Sequence, residues 1–363
     1  MLTSGIVGLP MVGKTTIFNL LTQSHTELSN FYTGKVASNV GMAKVPDRRL
    51  EKLREMYKPN KYTPAVIKVT DVPGLVSGSS EGKGTGNKFL ADVRQVDALI
   101  QVIRAFNSSV PHVEGSVDPV RDYNILTTEL ILADLQVMES IKERLTTGKK
   151  KKVENYEAEL ELTEKCIAVL EEAKPISSLS LTDEERLLIR DFGLLTQKPM
   201  LLVVNVDEEQ YKSGSYPGKE ELEALAEEYN YPLLVVCGQI EMEINDLDGE
   251  ERALFIEDLG IKEPGINLIA RAAYELLGLV SFFTVGEDEV RAWTIKKGVN
   301  AKEAAGAIHS DISRGFIRAE VVSYEDFIRA GSEAKAKELG VFRLEGKDYI
   351  VSAGDIISFR FNV

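Results

Sequence analysis

Cysteine is nearly absent: Cys166 and Cys237 are the only two in 363 residues. Two isolated thiols supply neither a disulfide framework nor a cysteine metal site, so both read as small core residues. Histidine is scarce as well, with three in the chain, at 25, 112 and 309. No apolar run is long enough to cross a bilayer and no basic-then-apolar leader opens the chain, which predicts a cytoplasmic protein with no membrane partner. Basic charge is in deficit, 43 Lys and Arg against 57 Asp and Glu. That balance excludes non-specific nucleic-acid binding by the whole surface and leaves room only for a local basic patch. What remains is ordinary, 44% hydrophobic and 28% charged, and the length suits two or three domains at ~150 residues each.

The informative stretch is GLPMVGKTT, residues 8 to 16. Gly8, four residues, then Gly13-Lys14-Thr15 is the spacing of a phosphate-binding loop. Glycines let the backbone curl so that successive N–H groups point at phosphate oxygens, Lys14 adds a charge for the β and γ phosphates, and the Thr15 hydroxyl can reach Mg2+. The loop's Met11, Val12, Gly13, Lys14, Thr15 and Thr16 are therefore candidate nucleotide contacts. Residues 2–7 precede it as a buried strand, and the pattern of 16–21 continues it as a helix whose N-terminus favours anions.

Apolar strands centred on 6–7, 66–71 and 98–103 alternate with helical patterns, which predicts a parallel sheet covered on both faces. The alternation breaks at Tyr123. From there to about Glu172, Gly and Pro are nearly missing and apolar residues recur at helical spacing, which predicts an antiparallel helical hairpin with Gly148 and Lys149–Lys152 at its turn. That lysine run is a solvated tip or a contact for RNA. Strands at 199–205 and 232–237 resume the sheet, so the hairpin is an insertion. From about Ser281 the texture changes: strand 290–295, a helix from Ala301 with Asn300 and Glu303 spaced as a capping box, then strands 319–322, 349–351 and 356–361. The helix carries its apolar face on Ala304, Ala305, Ile308 and Ile312.

Asp71 and Gly74, in DVPGLV at 71–76, have the spacing of a nucleotide switch: Asp71 to Mg2+ through water, the Gly74 N–H to the γ-phosphate. Leu75 stands where many such hydrolases carry the glutamine that orients water, and a leucine cannot do so. The glycine-rich loop at 76–86 is one that nucleotide can order. At NVDE, 205–208, guanine-specific proteins carry Asn-Lys-x-Asp; here Val206 and Glu208 replace the lysine and aspartate. A carboxylate one methylene longer misses the bidentate geometry, so guanine selectivity is undermined, and adenine is read by backbone groups near Val206 with Asn205 in support. With Leu75 unable to act, His112 is the candidate catalytic group beside Lys14. It follows a strand by a short polar loop, at the strand ends where ligands gather in this architecture; the alternative is a surface-loop histidine. His25, near the end of the first helix, and His309, beside Asp311, read as surface or capping residues.

Taken in order, Gly8–Thr16, Asp71–Asn87, HVEGSVDP at 112–119, Asn205–Glu208, EVRAWTI at 289–295, GFIRAEV at 315–321 and EGKDYIV at 345–351 resemble the YchF family, the Obg-like ATPases among the translation-factor P-loop hydrolases. The resemblance covers nearly the whole chain. It implies an α/β P-loop domain (1–122 and 197–280), an inserted α-helical coiled-coil hairpin (123–196) and a C-terminal TGS module of ubiquitin-like β-grasp form (281–363). It also implies ATP preferred over GTP, hydrolysis without the glutamine, Mg2+ on Thr15 and Asp71, and ribosome association with large-subunit and ribosomal RNA contacts, by a monomer. Met11 departs from the asparagine usual in the family's loop, and Lys35 from its usual first-switch threonine, with Thr33 two residues away. Two other readings compete: a guanine-specific Obg-like GTPase, and a nucleotide-gated binding protein whose hydrolysis is incidental.

Overall fold

The computed structural model describes residues 1–24, 38–75, 85–147 and 156–362. His25, Thr33, Lys35, the glycine-rich stretch up to residue 84 and the Lys149–Lys152 turn lie outside them. Among the described residues the strands are β1 (Thr3–Val7), β2 (Asn39–Val45), β3 (Lys61–Thr63), β4 (Ala65–Asp71), β5 (Ala98–Arg104), β6 (Met200–Asn205), β7 (Leu233–Val236), β8 (Leu279–Thr284), β9 (Glu289–Lys296), β10 (Phe316–Val322), β11 (Arg343–Glu345) and β12 (Ile356–Phe361).

The first sheet runs in the order β2-β4-β1-β5-β6-β7. Its pairs β1–β4, β1–β5, β5–β6 and β6–β7 are all parallel. Continuous apolar strands form it because helices cover both faces: β1 and β6 are buried at every residue, and β5 is too. Each fully buried Ile, Leu, Val or Met among them contributes about 1.5–3 kcal/mol. The register places Ile6 opposite both Asp71 and Ile100, and Arg104 opposite Asn205. One edge of the sheet therefore gathers the loop after β1, Asp71, Arg104 and Asn205.

Two long helices, Pro119–Thr147 and Tyr156–Glu171, pack side by side. Arg144 meets Glu159 at 2.9 Å and Lys142 meets Glu164 at 3.0 Å, so rising numbers on one helix face falling numbers on the other, and the pair is antiparallel. Ile131, Met138, Leu162, Cys166 and Ile167 form the seam. A buried carboxylate ties the hairpin to the sheet: Asp134 accepts from Leu195 N at 2.8 Å and from Thr196 N and Oγ1 at 2.7 Å.

The chain forms two compact units, residues 1–42 with 68–273 and residues 43–67 with 274–363. The hairpin belongs to the first unit, and Asp134 supplies one reason. The stretch 43–67 departs from the 1–122 block expected for a nucleotide domain. It joins the C-terminal unit because β3 pairs in parallel with β9, Tyr62 opposite Val290. The second sheet has the order β11-β10-β12-β8-β9-β3 with mixed directions. Helix Ala301–Ile308 covers its core of Phe282, Ile295, Ala304, Ala319, Val321 and Ile357. Asn300 accepts from Glu303 N at 3.0 Å, as the sequence predicts. The helix does not continue to Ile312: extended His309 breaks it, and the His309 ring accepts from Asp311 N at 3.2 Å to cap a five-residue helix, Ser310–Arg314. The strand expected at 349–351 is reduced to a single bridge, Ile350 to Asn300.

Candidate nucleotide site

The loop after β1 curls through three residues with positive φ: Gly8 (149°), Met11 (64°) and Gly13 (98°). A Cβ on Gly8 would stand 2.5 Å from the Val102 carbonyl oxygen, and one on Gly13 would collide with the Asn205 amide. Neither position admits a side chain. Helix Lys14–Thr22 starts directly on Gly13 with no side chain capping it, so its first N–H groups are left for an anion. Thr16, on that helix, lines a cavity of about 290 Å³ together with Asn19, Met242 and Asn245.

Lys14 is buried, and its Nζ donates to Leu9 O at 2.7 Å. Burial pushes its pKa down to about 8, against the opposing pull of Asp71. The Thr15 hydroxyl donates to Asp71 Oδ2 at 3.0 Å. Burial raises the Asp71 pKa, with Lys14 and Thr15 drawing it back. A hydroxyl and a buried carboxylate in contact are hard oxygen donors of the kind Mg2+ takes, so the two residues fit that ion. A Cβ on Gly74 would lie 3.1 Å from Lys14 Nζ, which puts the switch glycine against the same ammonium. Leu75 is fully buried and its N–H donates to Gly8 O at 3.2 Å. It is a core residue, withdrawn from any attacking water.

The base-reading residues are arranged differently from expectation. Asn205 spans two elements, its Nδ2 donating to Val12 O at 3.1 Å and its Oδ1 accepting from Gly238 N at 3.0 Å. Val206 is buried and its N–H is spent on Val236 O at 2.9 Å, so that amide is not open to adenine. Glu208 opens helix Glu208–Ser213 and pairs with Lys212 at 2.6 Å, its side chain 52% exposed. Its carboxylate faces solvent.

His112 is not a free surface residue. Its ring is buried, with Nε2 at 2.7 Å from Asp122 Oδ2. The Glu114 N–H donates to Nδ1 at 3.1 Å, so the proton sits on Nε2 and is donated to the carboxylate. Arg121 holds the other Asp122 oxygen at 2.8 Å. Burial raises the Asp122 pKa, with Arg121 and His112 pulling it back. The swinging imidazole expected from the sequence is corrected to one docked on a carboxylate, its Nδ1 covered by the Glu114 amide and with Arg121 Nη2 at 3.5 Å.

A family model described as a 50S ribosome-binding GTPase matches residues 3–151. A model for the C-terminal region of YchF-type GTPases, described as a protein of unknown function, matches 279–362. The ribosome-binding ATPase YchF of Bacillus subtilis is 48% identical, with 100% of each chain covered. The chain belongs to the YchF family. The Haemophilus influenzae YchF is 45% identical over 99% of each chain. The solved YchF GTPase of Schizosaccharomyces pombe superposes with a TM-score of 0.86 at 33% identity, covering 99% of this chain and 97% of that one.

Within this YchF-family site two residues escaped the motif reading, Arg104 and Asp122. Arg104 had a signal, since a charged residue ending a fully buried, mostly apolar strand is unusual; Asp122 had none beyond its place at a helix start. One pH effect follows from Lys14. The unfolded side chain titrates at its ordinary 10.5 and the folded, nucleotide-free one at about 8. Between those values the unfolded chain binds more protons, so this group's contribution to stability rises with pH. Nucleotide binding runs the other way, because phosphates need the charged ammonium. ATP affinity is expected to be flat below pH 8 and to fall about tenfold per unit above it, with proton uptake on binding. Calorimetry in buffers of different ionisation enthalpy measures that uptake, and Lys14→Arg should flatten the profile.

Proposed function

We propose that the protein is a nucleotide-dependent switch that binds and hydrolyses ATP in preference to GTP and acts on the ribosome. The observation that carries the ATP preference is the position of Glu208, paired with Lys212 and turned to solvent. With Val206 buried beside it, neither residue supplies the contacts that guanine-specific proteins make through lysine and aspartate. Thr15 and Asp71 would hold Mg2+, which when bound neutralises charge on the β and γ phosphates. Lys14 and the backbone amides from Val12 to Thr16 bind those phosphates, and Gly74 senses the last of them. His112 orients the attacking water in place of the absent glutamine through Nδ1 once the Glu114 amide releases it, the Asp122 contact keeping the proton on Nε2.

The ribosome as partner is supported by what the family's members are named for, and a TGS-type β-grasp for 281–363 by its mixed sheet with helix Ala301–Ile308 over the core. A ribosome partner supports a cytoplasmic location, and we read the protein as a monomer. Among the described residues no helix is long and apolar enough to cross a membrane. Competitive titration with ATP, ADP and GTP, with turnover measured with and without ribosomes, tests the reading. Tighter ATP binding and turnover that rises with ribosomes are the expected result. Equal or tighter GTP binding would return the chain to guanine chemistry, and ribosome docking with unchanged turnover to a gated binding protein.

A further inference from the structure

At the carboxyl ends of β5 and β6, Arg104 lies opposite Asn205, and both side chains turn to the phosphate loop. Asn205 takes the Val12 carbonyl; Arg104 takes the one before it, Nη1 donating to Met11 O at 3.3 Å. Its Nη2 donates to Val110 O at 2.9 Å and to Ser108 Oγ at 3.1 Å, and Nε donates to Phe106 O at 3.2 Å. The guanidinium carbon lies 4.4 Å from the centre of the Phe106 ring. The residue is 1% exposed, and burial lowers its pKa. A buried cation is retained against that cost when its donors are needed.

The geometry shows what they are needed for. In a trans peptide the C=O and the following N–H point in opposite directions. Drawing Met11 O toward Arg104 therefore sends the Val12 N–H the other way, and drawing Val12 O toward Asn205 does the same for the Gly13 N–H. Met11 needs such a hold, since its φ of 64° is a conformation a thioether side chain does nothing to stabilise.

We propose that Arg104 is a positioning residue for phosphate binding: it holds the Met11 carbonyl so that the Val12 N–H faces the nucleotide. Through Val110 it fixes the phosphate loop to the loop carrying His112. Lysine cannot substitute, because a single ammonium does not span the Met11, Phe106 and Val110 carbonyls as a planar fork does. The inference rests on the ATP-binding reading, and the wild-type titration run alongside separates failure of that reading from failure of this one. Arg104→Lys and Arg104→Ala are titrated with ATP, with and without guanidinium ion far below its denaturing range, and the unfolding of each nucleotide-free protein is recorded. ATP affinity is expected to fall about tenfold or more in both variants. Guanidinium should restore part of it in Arg104→Ala and none in Arg104→Lys, where the stem fills the slot. An Arg104→Lys protein that binds ATP as wild type does overturns the proposal. So does a cooperatively folded Arg104→Ala protein whose affinity guanidinium leaves unchanged. If Arg104→Ala does not fold, the lysine variant decides alone.

Discussion

Lys14→Ala is expected to bind ATP at least ~100-fold more weakly than the wild-type chain and to show no turnover above background. The other cation against the loop, Arg104, spends its donors on the Met11, Phe106 and Val110 carbonyls and does not replace Lys14, and Asp71 and Thr15 bring no positive charge. Loss of binding should far exceed loss of stability. Removing a buried ammonium whose pKa is already pushed down to about 8 relieves desolvation, while Leu9 O and the Asp71 carboxylate lose a partner. The two effects oppose each other in the free protein, whereas in the complex only the loss counts. Calorimetric titration together with thermal melting separates them. ATP binding that survives in Lys14→Ala would mean the backbone amides hold the phosphates alone.

The second large effect concerns turnover rather than binding. His112→Ala is expected to lower kcat by about 10- to 1000-fold with ATP affinity near wild type. The docked imidazole sharpens the test, because Asp122 fixes the proton on Nε2. Asp122→Asn keeps the size of that partner and, with Arg121 claiming the one remaining oxygen, turns an NH2 toward His112, so it should lower kcat in the same direction while leaving the histidine in place. Removing His112 also leaves Asp122 buried with Arg121 as its remaining ionic partner. A melting curve must therefore accompany each rate. Wild-type turnover in His112→Ala, alone and with ribosomes, would remove the residue from the mechanism and send the search to a group supplied by the partner.

Much of the first unit was legible because its signals are local and redundant. The phosphate loop combines spacing, a preceding strand and a following helix, and β4, β5, β6 and β7 read as apolar runs of the right length. The hairpin betrayed itself by fifty residues nearly free of Gly and Pro, although its first helix begins at Pro119 rather than Tyr123. Legibility failed where a contact depends on residues far apart in the chain. β3 is three residues long and finds β9 more than two hundred positions later, which no periodicity announces. The same holds for Asp134 gripping Leu195 and Thr196, and for Arg104 reaching back to Met11. Val206 was misjudged for a related reason: whether an amide is open to a base depends on the neighbouring strand, and Val236 had already taken it. His309, read as a surface or capping residue, is a cap and also the break in its helix, which was missed because an extended residue between two helical patterns leaves no compositional trace.

The excursion of residues 43–67 has a consequence for how such a chain can be divided. The backbone passes between the two units at 42/43, 67/68 and 273/274, so neither unit is one uninterrupted stretch of sequence. A cut after Ala273 would strand helix Arg48–Tyr57 and β3 without the sheet they complete, and leave β9 with an open edge inviting foreign strands. Recombination that exchanges terminal segments between genes would meet the same obstacle. The two units are thus joined by three passages of the chain, where two consecutive domains would have one.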